Sequence, residues 1–255
     1  MGIGACLLCL GEGLELRESH FLPAGVYRIL RDDDLPNPNP WQITKERAIQ
    51  TSSQLTAPLL CGTCENERLS KNGENWVLAN CLRKNGRFRL ASILASRPPD
   101  VFSSASPTRL YYAAGIPEIN CSALAYFAVS MFWRGSIHGW NSDGSIPVKL
   151  GPFQESFRKY LMGQADFPKD CVLLVAVREG KEVDRLAYCP ISDRRDGFHV
   201  HKFPMPGLAF SLAVGKNIPA MFRECCFVHN PVHPIMVTTL IEGWLVEDAI
   251  KMRQK

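Results

Sequence analysis

A chain of 255 residues is long enough to bury a sizeable core without disulfide staples. An apolar share of 46% with a charged share of 21% excludes wholesale disorder, and no apolar run is long enough for a membrane span. The net charge of +4 is compatible with nucleic acid but too small to demand it.

The N-terminal stretch, Met1 to Leu10, is short and apolar and lacks the basic leader of a secretory signal. Met1-Gly2 does not make a myristoylation site, because Cys6 stands where that motif wants Ser or Thr. A cytoplasmic setting with no membrane contact is therefore expected. In such a reducing compartment the ten cysteines should be thiols, metal ligands or small buried hydrophobes rather than disulfides.

Along the chain, Cys6 and Cys9 form a first C-x-x-C, and Gly11 and Gly13 suit a tight turn. Leu14, Leu16 and Glu18 begin a short alternating strand that leads to His20 and Phe21-Leu22-Pro23. Residues 32–40 carry three prolines and must loop, with Asp32, Asp33 and Asp34 read as solvated loop charges. Residues 41–53 are polar and suit either a strand or an ordered loop. Leu59-Leu60 then makes an apolar strand delivering Cys61, and Cys61 and Cys64 form the second C-x-x-C. Glu65 onward has helix-forming composition. Gly73 is expected to end or weaken that helix, and Trp76 to Leu82 to continue it.

Arg83, Lys84, Arg87 and Arg89 make the densest local basic patch, suited to phosphates if it lies beside the metal site. An exposed helix end and turn around Gly86 is the plainer reading. A Pro/Ser-rich break at 97–108 marks a boundary, giving an N-terminal unit of residues 1–95 and a C-terminal unit of residues 96–255. Cys121 to Trp133 is an apolar helix, with Arg134 at its end either buried and paired or reaching a phosphate. Pro152 to Met162 is an amphipathic helix capped by Gly163. Strands follow at 171–177, 198–203, 208–214 and 234–240, and Glu242 to Lys255 is expected to close as a helix. The fold class is thus α+β, with helices leading and strands following in the second half.

The two C-x-x-C pairs carry the chemistry. Two thiolates separated by two residues can converge on one tetrahedral ion, and two such knuckles complete a structural zinc shell at Cys6, Cys9, Cys61 and Cys64. The competing readings are a redox pair plus a chance pair, or four buried thiols. In the second half, Cys225, Cys226, His229 and His233 do not read as a site, because Pro231 and Pro234 prevent a shared helical face. His199 and His201 share one face of a strand, but two ligands alone do not make a site. No Walker loop, dinucleotide fingerprint or G-x-S-x-G is present.

The segment from Cys6 to Glu74 resembles the zinc-stapled HNH endonucleases. The resemblance is carried by the first C-x-x-C, then Ser19-His20-Phe-Leu-Pro23, then Leu59-Leu60-Cys61-Gly-Thr-Cys64-Glu65. It is similar, more narrowly, to a subgroup of HNH-like proteins with Ser-His-x-x-Pro, Cys-Glu in place of Cys-His and a Ser-Lys-x-x-Glu tail. Here that tail is Ser70-Lys71-Asn-Gly-Glu74, and the subgroup's Phe-Trp-Arg is Phe132-Trp133-Arg134. The resemblance implies a treble-clef module with a ββα-metal core, stapled by zinc and followed by a mixed helix and strand region. It implies a nuclease that hydrolyses phosphodiester bonds, with DNA as partner, a bacterial defence role and a catalytic Mg or Mn. His20 would be the general base and Glu65 a cation ligand in place of the usual histidine.

Ser19 stands where the family has an acidic ligand, and the family's asparagine has no fixed counterpart, although Gln50 and Gln54 lie in the right region. A catalytically silent zinc-stapled module that binds nucleic acid or a protein partner is the alternative. Ser19 and Glu65 favour that alternative; His20, Pro23 and the helix after Cys64 favour the enzyme.

Overall fold

The structure, a computed structural model, describes residues 2–44, 48–84, 87–102, 108–178, 185–195 and 197–238. The expected closing helix at 242–255 lies outside the described residues, as does the end of the strand expected at 234–240.

The N-terminal part is built on an antiparallel sheet in the order β1-β2-β5, with β1 Gly2–Gly4, β2 Leu14–His20 and β5 Thr56–Cys61. β2 begins as the alternating pattern demands, with Leu16 inward and paired with Cys61. A register shift between Arg17 and Glu18 then breaks the alternation. The extra residue is Leu59 of β5, which has no partner on β2. Beyond that point Glu18 faces solvent and Ser19 is buried, so β2 does not continue its alternation through Glu18.

Between β2 and β5 run α1 Ala24–Leu30, the proline loop, β3 Trp41–Ile43 and β4 Ala48–Gln50. After β5 the chain enters a π-helix, Thr63–Glu74, continued without a break by α2 Asn75–Asn80. The Asn75 amide donates to the Ser70 carbonyl, the five-residue return that defines this winding. Gly73 does not end the helix. A Cβ there would lie 2.9 Å from the Phe127 backbone nitrogen, so glycine is required by close helix packing and not by a cap.

The helix that Gly73 meets is α4 Cys121–Ile137, four residues longer than its apolar pattern predicts and capped by the Asn120 side chain on the Ala123 amide. α3 Arg89–Ala95, β6 Arg109–Tyr112 and α5 Phe153–Leu161 complete the central part. Gly163 holds a φ of 69° just past α5, as its cap position requires.

A six-stranded sheet takes the order β6-β12-β7-β11-β10-β9. Its further members are β7 Cys171–Arg178, β9 Ile191–Arg195, β10 Phe198–Met205, β11 Leu208–Gly215 and β12 Pro234–Thr238. Pairing is antiparallel except between β12 and β7. α4 lies on one face, with Phe132 against Phe203 and Phe127 against Phe210. The short α6 Ala220–Glu224 brings Phe222 to the other.

The third sheet crosses the chain: β3 pairs antiparallel with β4 and parallel with β8 Leu186–Tyr188, Trp41 opposite Leu186. One apolar core runs from Cys6 and Leu8 through α4 to Phe203 and Ile235. The fold is mixed α+β with a four-cysteine cluster drawn from residues 6–64. Among the described residues no helix is long and apolar enough to cross a membrane.

Candidate metal centre and adjoining charged cluster

The first knuckle is closed by two backbone hydrogen bonds, Leu10 amide to Cys6 carbonyl at 2.8 Å and Cys6 amide to Gly11 carbonyl at 2.9 Å. Leu10 takes a φ of 62°, unusual for a side chain with a Cβ, and is exposed. The Leu7 amide donates to the Leu59 carbonyl, which sets this knuckle beside the end of β5. The second knuckle spans the end of β5 and the first turn of the π-helix. The four sulfurs of Cys6, Cys9, Cys61 and Cys64 lie within 4.8 Å of one another, with Cys9 and Cys61 4.0 Å apart.

A tetrahedral ion about 2.3 Å from each sulfur sets neighbouring sulfurs about 3.8 Å apart, so the four thiols fit a structural ion such as zinc. Burial opposes ionisation of Cys6. Amide hydrogen bonds from the Cys61, Cys9 and Leu8 backbone outweigh it and bring the thiol below its ordinary value. Burial pushes Cys9 and Cys64 up. Among the described residues no other group of three or more His, Cys, Asp or Glu ligand atoms is close enough to hold an ion.

A second polar cluster is buried beside this centre. Arg134, 1% exposed on α4, donates from Nη2 to Glu74 Oε1 at 2.7 Å and lies 3.4 Å from Glu65 Oε1. The winding of the helix makes this possible. Glu65 and Glu74 are nine positions apart, about two and a half α-helical turns, which would place them on opposite faces. The wider π winding brings nine positions close to two turns and returns both carboxylates to one guanidinium.

Burial pushes the Glu74 carboxyl up, opposed by Arg134 and reinforced by Glu65. Burial works against the Arg134 charge, and the two carboxylates more than restore it. Two carboxyl groups thus share one guanidinium. Glu65 Oε2 and Arg134 Nε and Nη1 are buried with no hydrogen-bond partner among the described residues. His20, half-buried at the end of β2, is close enough for its charge to act on Glu74.

The remaining sequence candidates divide. Ser19 is buried, its hydroxyl 3.5 Å from the Arg17 carbonyl. Gln50 donates to the Asn37 and Asn39 carbonyls and ties down the proline loop, while Gln54 is exposed. In the basic patch, Lys84, Arg87 and Arg89 are exposed. Arg83 lies over the Phe88 ring and donates to the Arg178 carbonyl. His229 and His233 bond the Pro168 and Phe227 carbonyls, which accords with a structural reading of both.

Of the two outcomes open to Arg134, buried and paired or reaching a phosphate, the structure has the first; its pairing with Glu65 and Glu74 was not expected from the sequence. The signal was present in the spacing of Glu65 and Glu74, but only a π winding makes it legible.

Comparison with protein-family models, with curated proteins and with solved structures found no match.

Proposed function

We propose that this chain is an HNH-like nuclease module of the treble-clef, ββα-metal kind, acting on phosphodiester bonds of nucleic acid, DNA in the first instance. The observation that carries the reading is the pairing of Glu65 and Glu74 on one guanidinium beside His20, directly after the four-thiol centre. In this reading zinc at the four cysteines has no open position and serves only to hold the end of β5 and the helix in register. Glu65, with an unpartnered oxygen, and Glu74 are the oxygen donors that would hold Mg or Mn. That ion, when bound, supplies a Lewis acid for the leaving oxygen. His20 accepts the proton of the attacking water. Lys84, Arg87 and Arg89, with Arg83 behind them, offer positive charge to flanking phosphates.

One observation favours a second reading, a catalytically silent zinc-stapled module that binds nucleic acid or a protein partner. Arg134 at 2.7 Å from Glu74 is a built-in cation among the carboxylates that a metal would use. Plasmid nicking in Mg or Mn separates the two. The nuclease reading expects the wild-type chain to nick and His20→Ala to lose about a hundredfold of that rate. Equal nicking by both proteins removes His20 from the chemistry. No nicking in either metal, with salt-dependent DNA binding weakened by Arg87→Ala, selects the binding module.

A further inference from the structure

The metal centre has a partner far along the chain. Arg158 on α5 is buried, and its Nη1 donates at 2.7 Å to the carbonyl of Leu8, between the two cysteines of the first knuckle and 150 positions away in sequence. The other side of the guanidinium is gripped by Glu155, Nε to Oε2 at 2.7 Å and Nη2 to Oε1 at 2.8 Å. Three independent features thus meet at one loop: a buried charged donor on its carbonyl, a bidentate carboxylate that orients the donor, and a left-handed Leu10 that closes the turn.

Four thiolates around a divalent ion leave a net charge of about −2, which a nearby cation stabilises. Groups outside the ligand shell commonly orient the ligands and tune metal retention. Leu8 lies between the two cysteines, so a rigid donor on its carbonyl restrains the backbone that carries both sulfurs.

We propose that Arg158 is a positioning residue of the metal centre, its guanidinium oriented by Glu155 and holding the Leu8 carbonyl so that Cys6 and Cys9 face the ion. Retention of the ion is thereby coupled to the seating of α5. The inference rests on the four-thiol centre and is independent of the nuclease reading.

The test uses the full-length, zinc-loaded chain. Zinc content per chain is measured first, then the rate of zinc transfer to a coloured chelator at a temperature well below unfolding. Arg158→Met is expected to release zinc roughly tenfold faster or more. Arg158→Lys, which keeps the charge but not the fork, falls between Arg158→Met and wild type, and Glu155→Ala also releases faster. A Lys159→Met control, on the exposed side of α5, leaves the rate unchanged. A role confined to α5 packing would lower heat stability without changing release in the folded protein. Wild-type release rates in both Arg158→Met and Glu155→Ala overturn the proposal, and Glu155→Ala alone decides it should Arg158→Met not fold. A wild-type chain that takes up no zinc overturns it together with the metal centre.

Discussion

His201 shows what burial does to one side chain. It is fully buried on β10, stacked on His199 and facing Phe132 of α4. The Ser192 hydroxyl donates to the Pro147 carbonyl and accepts from His201 Nδ1 at 2.7 Å, which places a proton on that nitrogen. Burial, with repulsion from His199, pulls its pKa down to about 4. A group depressed in the fold takes up protons more readily when unfolded. Its contribution is complete above the unfolded pKa near 6.5 and is lost as pH falls toward 4. Urea midpoints at pH 7 and pH 4.5 should therefore differ in wild type, this one histidine contributing on the order of 3 kcal/mol over the whole window. His201→Phe should flatten that difference. At this scale the sequence was most legible where partners are close in the chain. Cys6 with Cys9 and Cys61 with Cys64 declare themselves by spacing. Arg158 does not, because its acceptor on Leu8 lies 150 positions away and no local pattern marks it. Arg134 was marked as a residue to be buried and paired or to reach a phosphate, but its partner Glu74, 60 positions away, was not legible.

Among the elements, the long periodic ones were readable and the short ones were not. β7, β10 and β11 and helices α4 and α5 follow apolar patterns strong enough to survive any tertiary context. α1, α3, β8 and β9 are short, and what fixes them is the surface they meet rather than their own composition. The helix after Cys64 was expected, but its winding was not, and the winding decides which side chains converge. Gly73 tests this packing. In an exposed helix, Gly→Ala gains up to about 1 kcal/mol. Here the new methyl would press on the Phe127 backbone at 2.9 Å, and backbone cannot step aside cheaply. Gly73→Ala is expected to destabilise by about 1–3 kcal/mol, read as a lower midpoint in thermal unfolding. A midpoint at or above wild type would mean that the π-helix and α4 stand farther apart than this.

For the molecule as a whole, the metal centre and the large sheet should respond differently to chelation. Cys6, Cys61 and Cys64 belong to the common core, yet β7, β10 and β11 are tied together by long ladders that need no ion. Stripping zinc with a strong chelator should abolish amide-exchange protection in residues 2–20 and 56–74 while the sheet amides stay protected. Uniform loss of protection would instead make the ion the keystone of the entire fold. The parallel ladder of β3 on β8 adds a constraint of timing. Trp41 leaves the ribosome well before Leu186 is made, a delay on the order of ten seconds at ordinary elongation rates. Throughout that interval the nascent chain carries an edge with no mate. A nascent-chain chaperone that shields it would raise the yield of the finished protein, and codons that slow translation after β4 would lower it.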